Sequence, residues 1–130
     1  MKLEELRIYQ LAMEMGEIIW VQVQKWDYFS KDTIGKQLVR AVDSVAANLS
    51  VPINRDGRYH FKETKQFGYY SGGSLYETKT WLTKAHNREL LNDKNFEALM
   101  KEINSLGKQL NKYIKSIGEM TNDQLLMTNK

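Results

Sequence analysis

Cations and aromatic rings are interleaved at one place in this chain: Arg55, Arg58, Lys62 and Lys65 surround Tyr59, His60 and Phe61. Ammonium and guanidinium groups hold phosphates, and aromatic faces stack on unpaired bases, so the mixture suits contact with RNA. Arg58, Lys62 and Lys65 also fall on one face at helical spacing. Arg55, Arg58, Tyr59, Lys62 and Lys65 are therefore the candidate nucleic-acid-binding residues. The competing reading is a solvated helix start with Phe61 turned into the core, and Asp56 and Glu63 dilute the charge. Lys101, Lys108, Lys112 and Lys115 form a second, weaker basic strip, expected to face solvent.

A different polar set stands at Arg40, Ser44 and Asn48, four residues apart along the flank of an apolar stripe made by Leu38, Ala41, Val42, Val45 and Leu49. A polar row beside a buried stripe suggests contacts between packed helices. If the first two helices are antiparallel, Arg40 lies opposite about Ile19, with Glu17 about 3 Å away along the axis. Pairing Arg40 with Glu77 instead needs a stagger of about 10 Å. The expected role is structural: an Arg40–Glu17 ion pair that sets helix register, with Glu77 as partner if the helices are offset. Ser44 and Asn48 take the same structural reading.

Catalytic and metal chemistry find little to work with. His60 and His86 would lie roughly 39 Å apart on one long helix, too far to share a metal within one chain. Neither follows a glutamate by three residues, the pairing that di-metal bundles use. Gly68, Gly72 and Gly73 lack the lysine-serine ending of a phosphate loop. No serine has a base and an orienting acid at a fixed spacing. The absence of cysteine removes disulfides, thiolate ligands and cysteine nucleophiles together. The expectation is a non-enzyme with no metal and no cofactor.

Residues of these types are positioned by helices. Leu6, Tyr9, Met13, Gly16, Trp20 and Val23 step by three and four through a first helix over about 3–24, and Ile8, Ala12, Met15 and Ile19 make a second stripe beside them. Two stripes predict burial on more than one side, and the second is assigned to a partner subunit, a third helix of the bundle being the alternative. A connector over 26–33 carries Asp32 or Thr33 as cap for a second helix over 34–51, which stops at Pro52, the only proline. Asp56-Gly57 marks a turn before a third helix over about 59–87. Ser71-Gly72-Gly73-Ser74 interrupts its composition, but Leu75, Thr78, Leu82 and Ala85 keep the helical phase, so an unbroken helix with close backbone approach is expected. Asn92 or Asp93 caps a fourth helix, in which Phe96, Leu99, Ile103, Leu106, Leu110, Tyr113 and Ile117 repeat by three and four up to Gly118. The expected fold is all-α, an antiparallel up-down-up-down four-helix bundle over residues 1–118, with a loosely ordered tail over 119–130.

At 130 residues the chain is long enough for one sizeable core, and 42% hydrophobic with 27% charged residues fits a globular protein. The net charge of +3 and sequence pI of about 9.0 are compatible with nucleic-acid contact without requiring it. No apolar run is long enough to span a bilayer. Met1-Lys2-Leu3-Glu4-Glu5 places acids where a signal peptide has its basic region, and the absence of cysteine makes a cytoplasmic location the expectation.

The run from Gln37 to Leu49, QLVRAVDSVAANL, resembles the helix-two signature of the bacterial four-helix-bundle proteins encoded in intervening sequences of 23S ribosomal RNA genes. Leu6-Arg7-Ile8-Tyr9-Gln10-Leu11-Ala12 is similar to the family's start, the run from Gly73 to Ala85 to its helix-three motif, and Leu90-Leu91-Asn92 with the heptads that follow to its ending. Together they cover about 6–117. The chain departs from the pattern at Ser50-Val51-Pro52-Ile53, where the family has a small-acid-glycine turn, so any role of that acid does not carry over. The resemblance implies a homopentamer of four-helix bundles without established enzymatic activity. A related bundle, the accessory variability protein of diversity-generating retroelements, is pentameric and binds nucleic acid. Two functions follow as expectations: an oligomeric module binding structured RNA or a ribonucleoprotein, or a protein-interaction scaffold that binds no nucleic acid.

Overall fold

The computed structural model describes residues 3–53 and 61–128. Four long helices carry the fold: α1 (Arg7–Gln24), α2 (Lys36–Ser50), α3 (Phe61–Asn87) and α4 (Asp93–Thr128), with no strand among the described residues. Each helix packs on its neighbours in chain order and α1 closes the bundle against α4. Neighbours run antiparallel: Gly16 meets Asp43 and Gly35 meets Val23 between α1 and the second helical segment, while Gly68 meets Ile114 and Gly72 meets Leu110 between α3 and α4. This is the expected four-helix bundle.

The stripes seen in the sequence form its core. Ile19, Leu38, Val42, Val45, Leu49, Leu82, Ile103 and Leu110 are almost fully buried. Each such side chain contributes about 1.5–3 kcal/mol through removal of apolar surface from water. Leu75, Thr78, Leu82 and Ala85 are all buried, and α3 runs unbroken through Gly72-Gly73. The second stripe on α1 is covered within the bundle, the alternative to a partner subunit, and the first stripe divides, with Leu6, Gly16 and Val23 buried as well. Ile8, Ala12, Met15 and Ile19 face the bundle core, whereas Met13 and Trp20 of the first stripe are 45% and 50% exposed. The flanking helices α2 and α4 pack over the second stripe, which leaves Met13 and Trp20 on the outer rim of the α1–α2 seam.

The connector after α1 is more ordered than its composition suggested. Asp27, not Asp32 or Thr33, caps the segment: its carboxylate accepts from the Ser30 backbone N–H at 3.0 Å and from the Ser30 hydroxyl at 2.7 Å. These bonds hold its pKa below the ordinary carboxylate value. One helical turn over Tyr28–Ser30 then leads through a wider turn over Lys31–Gly35 into α2. Gly35 is required there by crowding, because a Cβ would lie 2.7 Å from Val23 Cγ1 and 3.2 Å from the Ser30 carbonyl oxygen. At the other end α2 stops at Ser50, and the departing turn buries Pro52 and packs Ile53 on the core.

The α3–α4 turn is closed by Glu89 at φ 64°, with Leu90 N–H donating to the Ala85 carbonyl and Glu89 N–H to the His86 carbonyl. That pattern terminates a helix through a left-handed residue, a place where glycine is the usual choice. Asn92 caps α4 by accepting from Asn95 N–H at 2.7 Å, as expected. The helix does not end at Gly118 but continues to Thr128. Glycine inside a helix costs only about 1 kcal/mol against alanine, so it is a weak stop signal.

Candidate nucleic-acid interface

Arg55, Arg58 and Tyr59, three of the five candidate RNA contacts, lie outside the described residues. Lys62 is exposed on the first turn of α3 and Lys65 is half-buried one turn on. Lys101, Lys108, Lys112 and Lys115 are all exposed on α4. Of the two histidines, His86 serves the α3–α4 turn: its ring stacks on Phe96 at 4.1 Å between centroids, and Nε2 shares a 2.7 Å hydrogen bond with Asp93. Among the described residues no three His, Cys, Asp or Glu side chains gather as metal ligands.

The polar row on α2 divides into three fates. Ser44 points at α3, donating to the Ala41 carbonyl at 2.9 Å and lying 2.6 Å from the Ser74 hydroxyl. Asn48 donates to the Ser44 carbonyl within its own helix at 2.8 Å. Arg40 is exposed and makes no ion pair with Glu17 or Glu77 among the described residues. The register arithmetic was right, since Gly16 stands opposite Asp43, but the azimuth was not. Asp43 occupies the place beside Glu17, and Arg40 is carried to the outer lip of the seam. Glu77 instead accepts from Trp81 Nε1 at 3.2 Å.

Asp43 is thereby left facing another acid. Its pKa is raised, first by partial burial and second by the charge of Glu17. The α1–α2 seam around them is lined by Tyr9, Met13, Glu17 and Asp43, with no lysine or arginine. Farther down the same seam the chemistry reverses. A cleft of about 450 Å³ at the corner has Trp20 and Tyr28 beside Lys31, Lys36 and Arg40, with Asp32 the single acid. Tyr28 is 80% exposed there and Phe29 is exposed next to it.

The outer face of α3 carries the aromatic groups that the sequence reading passed over. Tyr69, Tyr70 and Tyr76 are exposed, and Lys79 Nζ lies over the Tyr76 ring, 5.1 Å from its centroid. On the inner side of the same helix, Ser71 is fully buried and donates to the Val45 carbonyl at 2.8 Å, joining α3 to α2. The signal for these tyrosines was available in their spacing. Tyr69 and Tyr76 are seven residues apart and out of phase with the buried Leu75, Thr78 and Leu82.

The described helices include none long and apolar enough to cross a membrane. No curated protein matches the chain. The sequence pattern of the family described as 23S rRNA-intervening sequence protein matches residues 4–112.

Proposed function

Since this chain belongs to the 23S rRNA-intervening sequence protein family, we propose that it is a non-catalytic, self-associating helical module that binds structured RNA in the cytoplasm. One observation carries the reading: α1 exposes a group of large apolar side chains, whereas the outer faces of α3 and α4 expose tyrosines among lysines. The outward arc of α1 carries Met13, Ile18, Trp20 and Val21, all 45% or more exposed, and Tyr28 and Phe29 extend it around the corner. Large apolar side chains gathered in this way mark an association surface. The resemblance to pentameric bundles supplies five as the expected copy number. The outer faces of α3 and α4 instead carry Lys62, Tyr69, Tyr76, Lys108 and Lys112, a mixture suited to phosphates and bases. Repeating a weak basic patch around a closed ring turns it into an avid one.

The test is fluorescence anisotropy of the full chain with structured RNA from roughly 50 to 200 mM salt, with sedimentation velocity on the same samples. Four phosphate contacts lower affinity by about 100-fold over that range. Replacing Arg55, Arg58, Lys62 and Lys65 by glutamine removes most of that dependence while the assembly stays the same size. A protein-interaction scaffold is the second reading, favoured by the corner cleft, where Trp20 and Tyr28 stand beside three cations. It is preferred if wild-type protein associates but binds no RNA at the low end of salt.

A further inference from the structure

Between α3 and α4 lies a cleft of about 350 Å³ whose lining includes Tyr76 and Lys79 on one side and Asn104, Lys108 and Asn111 on the other. No carboxylate lines it. Neither lysine is in an ion pair and neither asparagine amide bonds to the protein, among the described residues. Asn104, Lys108 and Asn111 stand on one row of α4 by their spacing of four and three. Tyr76 is 73% exposed, and Lys79 Nζ lies over one face of its ring, which leaves the other face open.

The glycines of the cleft explain why it is open. At Gly68 a Cβ would meet Ile114 Cγ1 at 2.8 Å, so there glycine serves helix contact. At Gly72 the nearest atom is Leu110 Cδ2 at 3.8 Å, and at Gly107 it is Leu75 Cδ2 at 3.4 Å. Packing does not demand glycine at Gly72 and barely does so at Gly107, yet each weakens its helix relative to alanine. Both line the cleft, and what their missing side chains provide is room.

We infer that this cleft takes an unpaired nucleotide of RNA, with Tyr76 stacking on the base, Lys79 and Lys108 on phosphate oxygens, and the Asn104 and Asn111 amides on base edges. The inference rests on the RNA-binding reading and adds the site at which a single-stranded segment is held. Aromatic stacking is tolerant of base identity, and amides supply both a donor and an acceptor to a base edge. A lining with two lysines and no acid favours an anionic ligand.

The experiment compares wild type, Tyr76→Ala and Tyr76→Phe for binding of a single-stranded RNA, a fully paired RNA and inorganic polyphosphate. The expected result is a loss of about tenfold for single-stranded RNA on Tyr76→Ala. Tyr76→Phe restores binding, and neither variant changes affinity for paired RNA or polyphosphate. Circular dichroism checks that the exposed substitution leaves the helices intact. Wild-type RNA binding with Tyr76→Ala unaffected overturns this site alone. Equal loss of polyphosphate and RNA overturns the nucleotide assignment in favour of a plain anion site. Absence of any RNA binding by wild type overturns the proposed function and this inference together.

Discussion

The α1–α2 and α3–α4 seams are built from the same materials, two antiparallel amphipathic helices with glycines between them, and they come out as opposites. On the α1–α2 side Gly16 and Gly35 are pressed by neighbours at 2.8 and 2.7 Å. The upper rim of that seam is acidic at Glu17 and Asp43, and its outer face is apolar at Met13 and Trp20. On the α3–α4 side Gly68 is pressed in the same way, but a Cβ at Gly72 or Gly107 would make only ordinary contact at 3.8 and 3.4 Å, and the rim carries Lys79 and Lys108 with no acid. Glycine in a helix therefore has two meanings in one molecule. At Gly16, Gly35 and Gly68 it lets structure close up, and at Gly72 and Gly107 it leaves a cleft open.

Substitution by alanine separates these meanings sharply. Gly35→Ala is expected to destabilise the protein by about 1–3 kcal/mol, because its Cβ meets both a core methyl and a backbone carbonyl that cannot rotate away. Urea unfolding measures this, and an unchanged midpoint would end the claim that crowding explains that glycine. Gly72→Ala is expected to act in the opposite direction and raise stability by about 0.5–1 kcal/mol, since its Cβ would only touch Leu110 Cδ2 at an ordinary 3.8 Å. A lower midpoint for this variant would remove the contrast between the seams.

The smallest expected effect concerns charge. Asp43 has a raised pKa, so its folded form holds a proton more readily than its unfolded form. Whatever stability it contributes is present below the unfolded value of about 3.9 and is lost as pH rises through the folded value. Asp43→Asn should therefore raise the melting temperature slightly at about pH 7 and give no gain at about pH 3.5. A gain that is the same at both pH values would show that Glu17 and partial burial do not act on Asp43 through its charge.

Much of the fold was legible because helical periodicity is a local property. Leu38, Val42, Val45 and Leu49 fall in step by three and four, and all are buried. The heptads of α4 also lie inward, with Leu99, Ile103, Leu106 and Leu110 buried and Phe96 half-buried. Pro52 ended α2 as its missing N–H requires, and Asn92 capped α4 through its short side chain. The candidate site was less legible. Lys62 and Lys65 stand out by their interleaving with aromatics, whereas Tyr76 and Lys79 are read only as part of a family motif. Asn104 and Asn111 carried no signal, because two asparagines on one helix gain meaning only when a second helix sets a tyrosine and a lysine across from them.

By itself the sequence determined the number of helices, the buried stripes of α2 and α4, the axial register of α1 against α2 and the family. These follow from spacing along a chain whose rise and turn per residue are constant. Tertiary structure decided which members of the two apolar stripes on α1 entered the core, since any of them could have done so until α2 and α4 covered one side. It placed Asp43 rather than Arg40 beside Glu17, because a difference of one azimuth on a helix separates a seam from its outer lip. It also decided which glycines are crowded and which are open. A missing side chain has no direction in the sequence, and only a neighbouring helix shows whether its place is filled.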